Sequence, residues 1–516
     1  MHRSAHDTFR RSRRRAARFA LALLTALALG MSAHAQSTLT VAQTVDIPGF
    51  DPHDHGSTAV EAVLTNVFDY LLFRDANGDI QPALATGYEQ VDDLTWRFTL
   101  REGVTWHDGE PFTAADVEFS LERVAKDDTL FEHDSFRQIV DVEVVNDHEV
   151  LLHTEGPDPV LLSRISRKGA AIVPKHVIDA IGWDGFSVAP IGTGPYRFVE
   201  WLRDDRVVFE AFEGHWRGAP TFERLVFRAV PEDATRVGEL VTGNVDIAVN
   251  IPSQDVERIQ GSTEAGVVSQ PTTRIMMLLL NTADGKATAD PRVREAIELA
   301  IDKELLIDVV AGGFGVPVGA RVSPGVAAAP MKYYRQNAYD PERARELLAE
   351  AGYGPGELTV ALQGPDGRYP GDADTLAVVQ TMLQEIDVNA TLETLEWSAY
   401  NGRIWGADNV ENVALIGLAN SLFDGWFALR TLPCDGTYAK RTNWCNPTFD
   451  QLLADAEFNL DLEERAAQIE EAFDIVVNER PMIALFQIDA LVGVANDITW
   501  QPRPDEMIWA FDIQPN

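Results

Sequence analysis

The stretch Pro271–Gly313, PTTRIMMLLLNTADGKATADPRVREAIELAIDKELLIDVVAGG, decides the fold. Ile275 to Leu280 is an unbroken apolar run, the pattern of a strand covered on both faces rather than one with a wet side. Asp290-Pro291 then supplies an N-cap and a proline at the first helical position, and Val293, Ile297, Ala300 and Ile301 recur at helical spacing behind it. Asp302 is placed to cap a second short helix that stops at Gly312-Gly313. A buried strand followed by punctuated helices predicts an α/β protein.

Working outward, 516 residues of which 45% are hydrophobic exceed one ordinary core and supply two or three. At the N-terminus a cluster of arginines from Arg10 to Arg18 precedes the apolar run Phe19 to Leu29, and Ala33-His34-Ala35 has the small residues of a cleavage site. This predicts a signal peptide over residues 1–35. The pair Arg13-Arg14 lacks the apolar residue that a twin-arginine signal needs soon after it, which favours Sec export. Cleavage takes seven Arg and one Asp away, leaving a chain more acidic than the formal −37 of the whole sequence. Such a surface repels nucleic acid and anionic lipid, so neither is expected as a partner.

Further along, Leu39 to Ala42 reads as a strand and Thr58 to Phe73 as an amphipathic helix with Val60, Val63, Leu64, Val67 and Leu71 on one face. His53 and His55 flank Asp54, but two histidines without a third ligand nearby do not make a metal site. In the block 79–126, Thr95 to Leu100 alternates as a strand, His107-Asp108-Gly109-Glu110 is a tight turn, and Thr113 with Asp116 is a capping-box variant that opens a helix. Turn and cap chemistry accounts for its polar residues, so His107 and Asp108 are not read as catalytic. Gly192-Thr193-Gly194-Pro195-Tyr196 suggests a phosphate loop, yet Arg197 stands where the third glycine belongs and Tyr196 to Trp201 reads as strand. A helix opens at Pro231 to Arg236 and leads to the strand around Val245 to Ala248 and the loop Asn250-Ile251-Pro252. Another begins at Tyr339-Asp340-Pro341-Glu342.

Phe50-Asp51-Pro52-His53, the block 79–126, Ile191 to Phe198, Asp233 to Ile247 and Tyr339 to Ala344, together with the opening stretch, resemble the signatures of the extracytoplasmic solute-binding proteins of family 5, the dipeptide/oligopeptide/nickel-binding type. The resemblance implies a two-lobed periplasmic binding protein fold of type II, with mixed sheets flanked by helices. Lobe I would span 36–278 with an extra subdomain at about 73–194, lobe II 279–488, and 489–516 would return to lobe I. Hinge strands would lie near Arg274 to Asn281 and Ile488 to Val492. It implies a monomeric periplasmic component of an ABC importer that captures a peptide or peptide-like solute and delivers it to an inner-membrane permease, with no cofactor. An opine, an oligosaccharide or a nickel chelate is the alternative cargo. Cys434 and Cys445 match the disulfide of the family's dipeptide binders, down to the Trp before the second cysteine, and an oxidising compartment favours that bond.

No HExxH, GxSxG, Walker A or CxxC occurs, which makes a secreted hydrolase the minor reading and leaves no catalytic residue to name. For binding, the resemblance turns the loops at Asp54-His55 and Asn250 toward the pocket and sets a pocket residue at Trp405; Trp426 is a further aromatic wall. Peptide binders of the family carry an acid about four residues after the glycine of Leu415-Ile416-Gly417, where it pairs with the ligand's ammonium. Here Asn420 and Ser421 stand there, and the first acid is Asp424. Arg274, at the lobe junction, has the shape to hold a ligand carboxylate with two hydrogen bonds.

Overall fold

A computed structural model describes residues 37–405 and 410–516, the Trp405 side chain excepted. The expected signal peptide lies outside the described residues. No helix among them is long and apolar enough to cross a membrane.

Two long antiparallel strands, Ala265–Leu280 and Met482–Ala495, are the axis of the molecule. Their pairing runs from Ala265 opposite Ala495 to Leu279 opposite Met482, broken by an irregularity between Pro271 and Ile275. On one side of that break the strand Ile247–Ala248 joins the sheet, followed by Thr38–Gln43, Arg224–Ala229, Arg206–Ala211 and Tyr196–Leu202. On the other side come Val413–Leu418, Thr359–Asp366 and Asn389–Glu396. Parallel and antiparallel pairs mix in this one sheet, with helices packed against it, which gives the two-lobed α/β architecture.

The apolar run of the opening stretch is buried throughout, and its alternate side chains serve two cores. Met276, Leu278 and Leu280 pack with Val293, Ile297 and Ala300; Ile275, Met277 and Leu279 pack on the other face with Trp426, Phe449 and Phe473. The helices Pro291–Ala300 and Lys303–Ala311 form as expected. Asp290 accepts from the Arg292 amide at 2.8 Å, Asp302 from Glu304 and Leu305, and Gly312 ends the second helix at φ 59°. Residues 39–247 and 492–513 contribute a separate core, beside which Ala85–Asp92, Thr95–Leu100, Ile139–Asn146 and Glu149–Thr154 make a four-stranded antiparallel sheet.

The helix expected over Thr58 to Phe73 is shorter, Thr58–Leu64. Asn66 is the cause: its side chain donates to Ile508 O at 2.9 Å and accepts from the Ala510 amide at 2.9 Å, while the carbonyls of Asn66 and Val67 accept from Tyr196 and Gly194. The apolar face stays buried without the helix. A Cβ on Gly192 would collide with the Val67 carbonyl, which is the reason for glycine in that loop. His107 pins the same loop, its Nε2 2.9 Å from Gly194 O and its Nδ1 accepting from the Gly192 amide at 3.2 Å. Burial holds its pKa down to about 4. The capping box of Thr113 and Asp116 is present, and the Cys434–Cys445 disulfide is formed.

Candidate functional site

A cleft between the lobes lies along the break in the paired strands. Two adjoining cavities share Asn250, Arg368, Tyr369 and Asp489 as walls and hold about 820 and 940 Å³ of space, part of it open to solvent. One wall is the loop that follows the strand Thr359–Asp366, at the carboxyl end where α/β sheets bind ligands. Asp372 shapes this loop by accepting from the amides of Gly367, Arg368 and Tyr369 at 2.9 to 3.1 Å, and the Tyr369 hydroxyl donates to Gly417 O at 3.0 Å. The loop therefore presents Arg368 from a fixed base.

The Arg368 guanidinium lies 4.9 Å from the Tyr369 ring centre and 5.3 Å from that of Trp397, and among the described residues no acceptor hydrogen-bonds it. Burial pulls its pKa below the ordinary guanidinium value, and the nearby Arg274 charge adds to the effect. Glu506 and Asp372 act on it only through space, and a half-buried cation without a hydrogen-bonded acid is a ready partner for an anionic group. Across the same cavities Asp489 accepts from Ser269 at 2.8 Å with one oxygen, while its other oxygen is buried without a donor. Burial raises the Asp489 pKa and the Ser269 hydrogen bond partly offsets this. The opposite wall carries Asn250, held at φ 53° by the fully buried Arg236, which donates to Asn250 O at 2.7 Å and to Val249 O at 2.8 Å.

The residues singled out from sequence divide sharply. Asn250 and Arg274 reach the cleft. The bidentate face of Arg274, however, is occupied: it meets both oxygens of Glu506 at 2.9 Å, and further donors go to Gly417 O and Thr58 Oγ1. Its role is to tie the segments together across the strand break, with Glu506 standing where a ligand carboxylate was expected. Burial opposes its charge, but Glu506 more than restores it and the Arg274 pKa rises. Asp424 is only 2% exposed; Arg465 holds both its oxygens at 2.7 and 2.8 Å, and it caps the helix Gly425–Leu429. Trp426 belongs to a core and donates to Leu453 O at 3.0 Å. Neither lines these cavities. Asp54 accepts from the Phe131 amide on the surface, and His55 is buried with Nε2 3.1 Å from Glu61 Oε2, at an angle outside hydrogen-bond geometry. Trp405 ends the helix Trp397–Trp405, its side chain outside the described residues. No group of three or more His, Cys, Asp or Glu is placed to hold a metal among the described residues, and His53 is taken up by Arg123 and Ala171 O.

Arg368 and Asp489 were missed in the sequence, though each leaves a signal. Arg368-Tyr369 sits in a loop punctuated by Gly367, Pro370 and Gly371, and Asp489 is the lone charged residue in the strand MIALFQIDALVGVA.

Comparison with known proteins agrees with this architecture. The model of the bacterial extracellular solute-binding proteins, family 5 (Middle), matches residues 79–435. The glutathione-binding protein GsiB of Salmonella typhimurium is 29% identical over 479 residues, 90% of this chain and 92% of that one. Among solved structures, the dipeptide-binding protein of a Pseudoalteromonas species in complex with Met-Leu superposes with a TM-score of 0.84 at 23% identity, over 93% of this chain and 100% of that one. NikZ of Campylobacter jejuni in complex with Ni(L-His) superposes with a TM-score of 0.82 at 23% identity, over 92% and 99% of the two chains.

Proposed function

The chain belongs to the bacterial extracellular solute-binding proteins of family 5, and from that premise we propose that it captures a short peptide or glutathione-like solute in the cleft at Arg368 and Asp489. Members of this family are extracytoplasmic proteins that deliver a solute to an ABC permease. The observation that carries the reading is the Arg368 guanidinium, half-buried between the lobes with no acid hydrogen-bonded to it among the described residues. It takes the solute's carboxylate, and Asp489, with one oxygen lacking a donor, takes the ammonium. A zwitterionic peptide is complementary to that pair of charges, whereas each alone is costly to bury. Trp500 and Tyr369 supply the apolar walls. A relative named for glutathione binding supports the same ligand class.

In this reading the lobes close about the irregularity between Pro271 and Ile275, somewhat earlier in the chain than the sequence suggested. The protein works as a monomer in the periplasm, after removal of residues 1–35, and performs no chemistry on its cargo. Calorimetry with glutathione and Ala-Ala-Ala tests the assignment. Arg368→Met should weaken whichever binds by about 30-fold or more, the cost of truncating one partner of a buried charge pair. Unchanged affinity in that variant, or no heat with any peptide, would overturn it.

A further inference from the structure

We infer that the cleft carries a second acid-binding subsite, built from Arg503, Arg74 and Trp509, so that the preferred solute bears two carboxylates rather than one. This rests on the Arg368 reading and adds to it. A third cavity, of about 530 Å³, adjoins the first and shares Arg503 with it. Three of its walls each keep a buried donor nitrogen without an acceptor: Arg503 Nη1, Arg74 Nε and Trp509 Nε1. Arg503 is 3% exposed and Trp509 7%.

The remaining donors of the two arginines fix them in place. Arg503 grips Asp505 at 2.9 and 2.7 Å and donates to Arg74 O at 2.7 Å, while Arg74 reaches Gly78 O, Ser163 Oγ and Leu422 O. The Arg503 guanidinium stands 5.9 Å from the Trp509 ring centre and is tied to Arg74 through the Arg74 carbonyl, so the three residues adjoin around one cavity. Glu61 Oε2, on the same walls, also lacks a hydrogen bond but lies 3.1 Å from His55 Nε2, so the three donors are the groups left for a ligand, and they call for an oxyanion. Charge agrees: Arg74, Arg167, Lys168 and Arg503 line this cavity against Glu61 and Asp505, with Glu132 behind Arg167 and Lys168. Such a cationic lining in a chain of formal charge −37 favours an acid and disfavours an ammonium. Leu422 O on Arg74 and Ser421 Oγ on Arg167, both from the other lobe, close the subsite from above.

Calorimetry on the full exported chain decides the matter, with glutathione as the two-carboxylate probe and Ala-Ala-Ala as the one-carboxylate probe. Wild type should prefer glutathione. Trp509→Phe, which removes the indole N–H and keeps an aromatic ring, should weaken glutathione about tenfold and leave Ala-Ala-Ala unchanged. Arg503→Gln should act in the same direction, and Arg368→Met should weaken both probes. Equal losses for the two probes in Trp509→Phe, or no loss for either, would overturn the second subsite while leaving the first standing. Indifference of both probes to Arg368→Met would overturn the first, and failure of wild type to bind either probe would overturn both.

Discussion

Asp424 and Asp489 are acids in largely apolar surroundings, and their partners give them opposite roles. Arg465 and a helix N-terminus use both oxygens of Asp424, so Asp424→Asn leaves a buried guanidinium half-paired. That substitution should lower unfolding free energy by about 3 kcal/mol or more in urea titration. Asp489→Asn should behave differently. Its raised pKa means the folded chain holds the proton more tightly than the unfolded one, so its contribution is present below the usual carboxylate range and is lost as pH rises through the folded value. At neutral pH, Asp489→Asn should therefore cost no stability, yet weaken free peptides and spare N-acetylated ones. Loss of free-peptide binding in Asp424→Asn but not in Asp489→Asn would reverse the two roles. The sequence favoured Asp424 because it stands nearest the position where peptide binders carry their acid; Arg465, 41 residues further on, was invisible there. The same distance effect hid Glu506, 232 residues from Arg274.

At the scale of elements the sequence was most legible where local chemistry is complete. The opening stretch announces its strand by continuous apolarity and its helices by Asp290-Pro291, Asp302 and Gly312, and each forms where that chemistry places it. The helix after Thr58 was overestimated because periodicity reports burial, and Asn66 ends the helix through partners near the C-terminus. The Cys434–Cys445 loop was legible from compartment and resemblance. Its surroundings are tightly made: Asp450 accepts from the Cys434 amide at 3.1 Å, and the Trp444 and Phe449 rings pack edge to face at 5.0 Å. Reduction should lower stability by about 3 kcal/mol in the chain-entropy view of a loop this size. Thermal melts with and without reductant, thiol release being verified by alkylation, should separate; coincident melts with both thiols free would show that packing alone holds the loop.

For the whole molecule, the two crossing strands make each lobe depend on distant sequence, since Met482–Ala495 runs through both and the last residues return to pack on the first lobe. The contrast between the cationic third cavity and an acidic chain has a consequence for kinetics. A solute with two carboxylates and one ammonium carries net negative charge, so it approaches a body of its own sign and feels attraction only once it is within about one Debye length of the cleft, ~8 Å at physiological ionic strength. Added salt screens the outer repulsion more than the sheltered ion pairs within. The association rate of an acidic solute should therefore rise with ionic strength in stopped-flow measurements, opposite to the slowing seen when unlike charges steer an encounter. Capture of this kind would be quickest in brine, where most electrostatically guided binding is slowest.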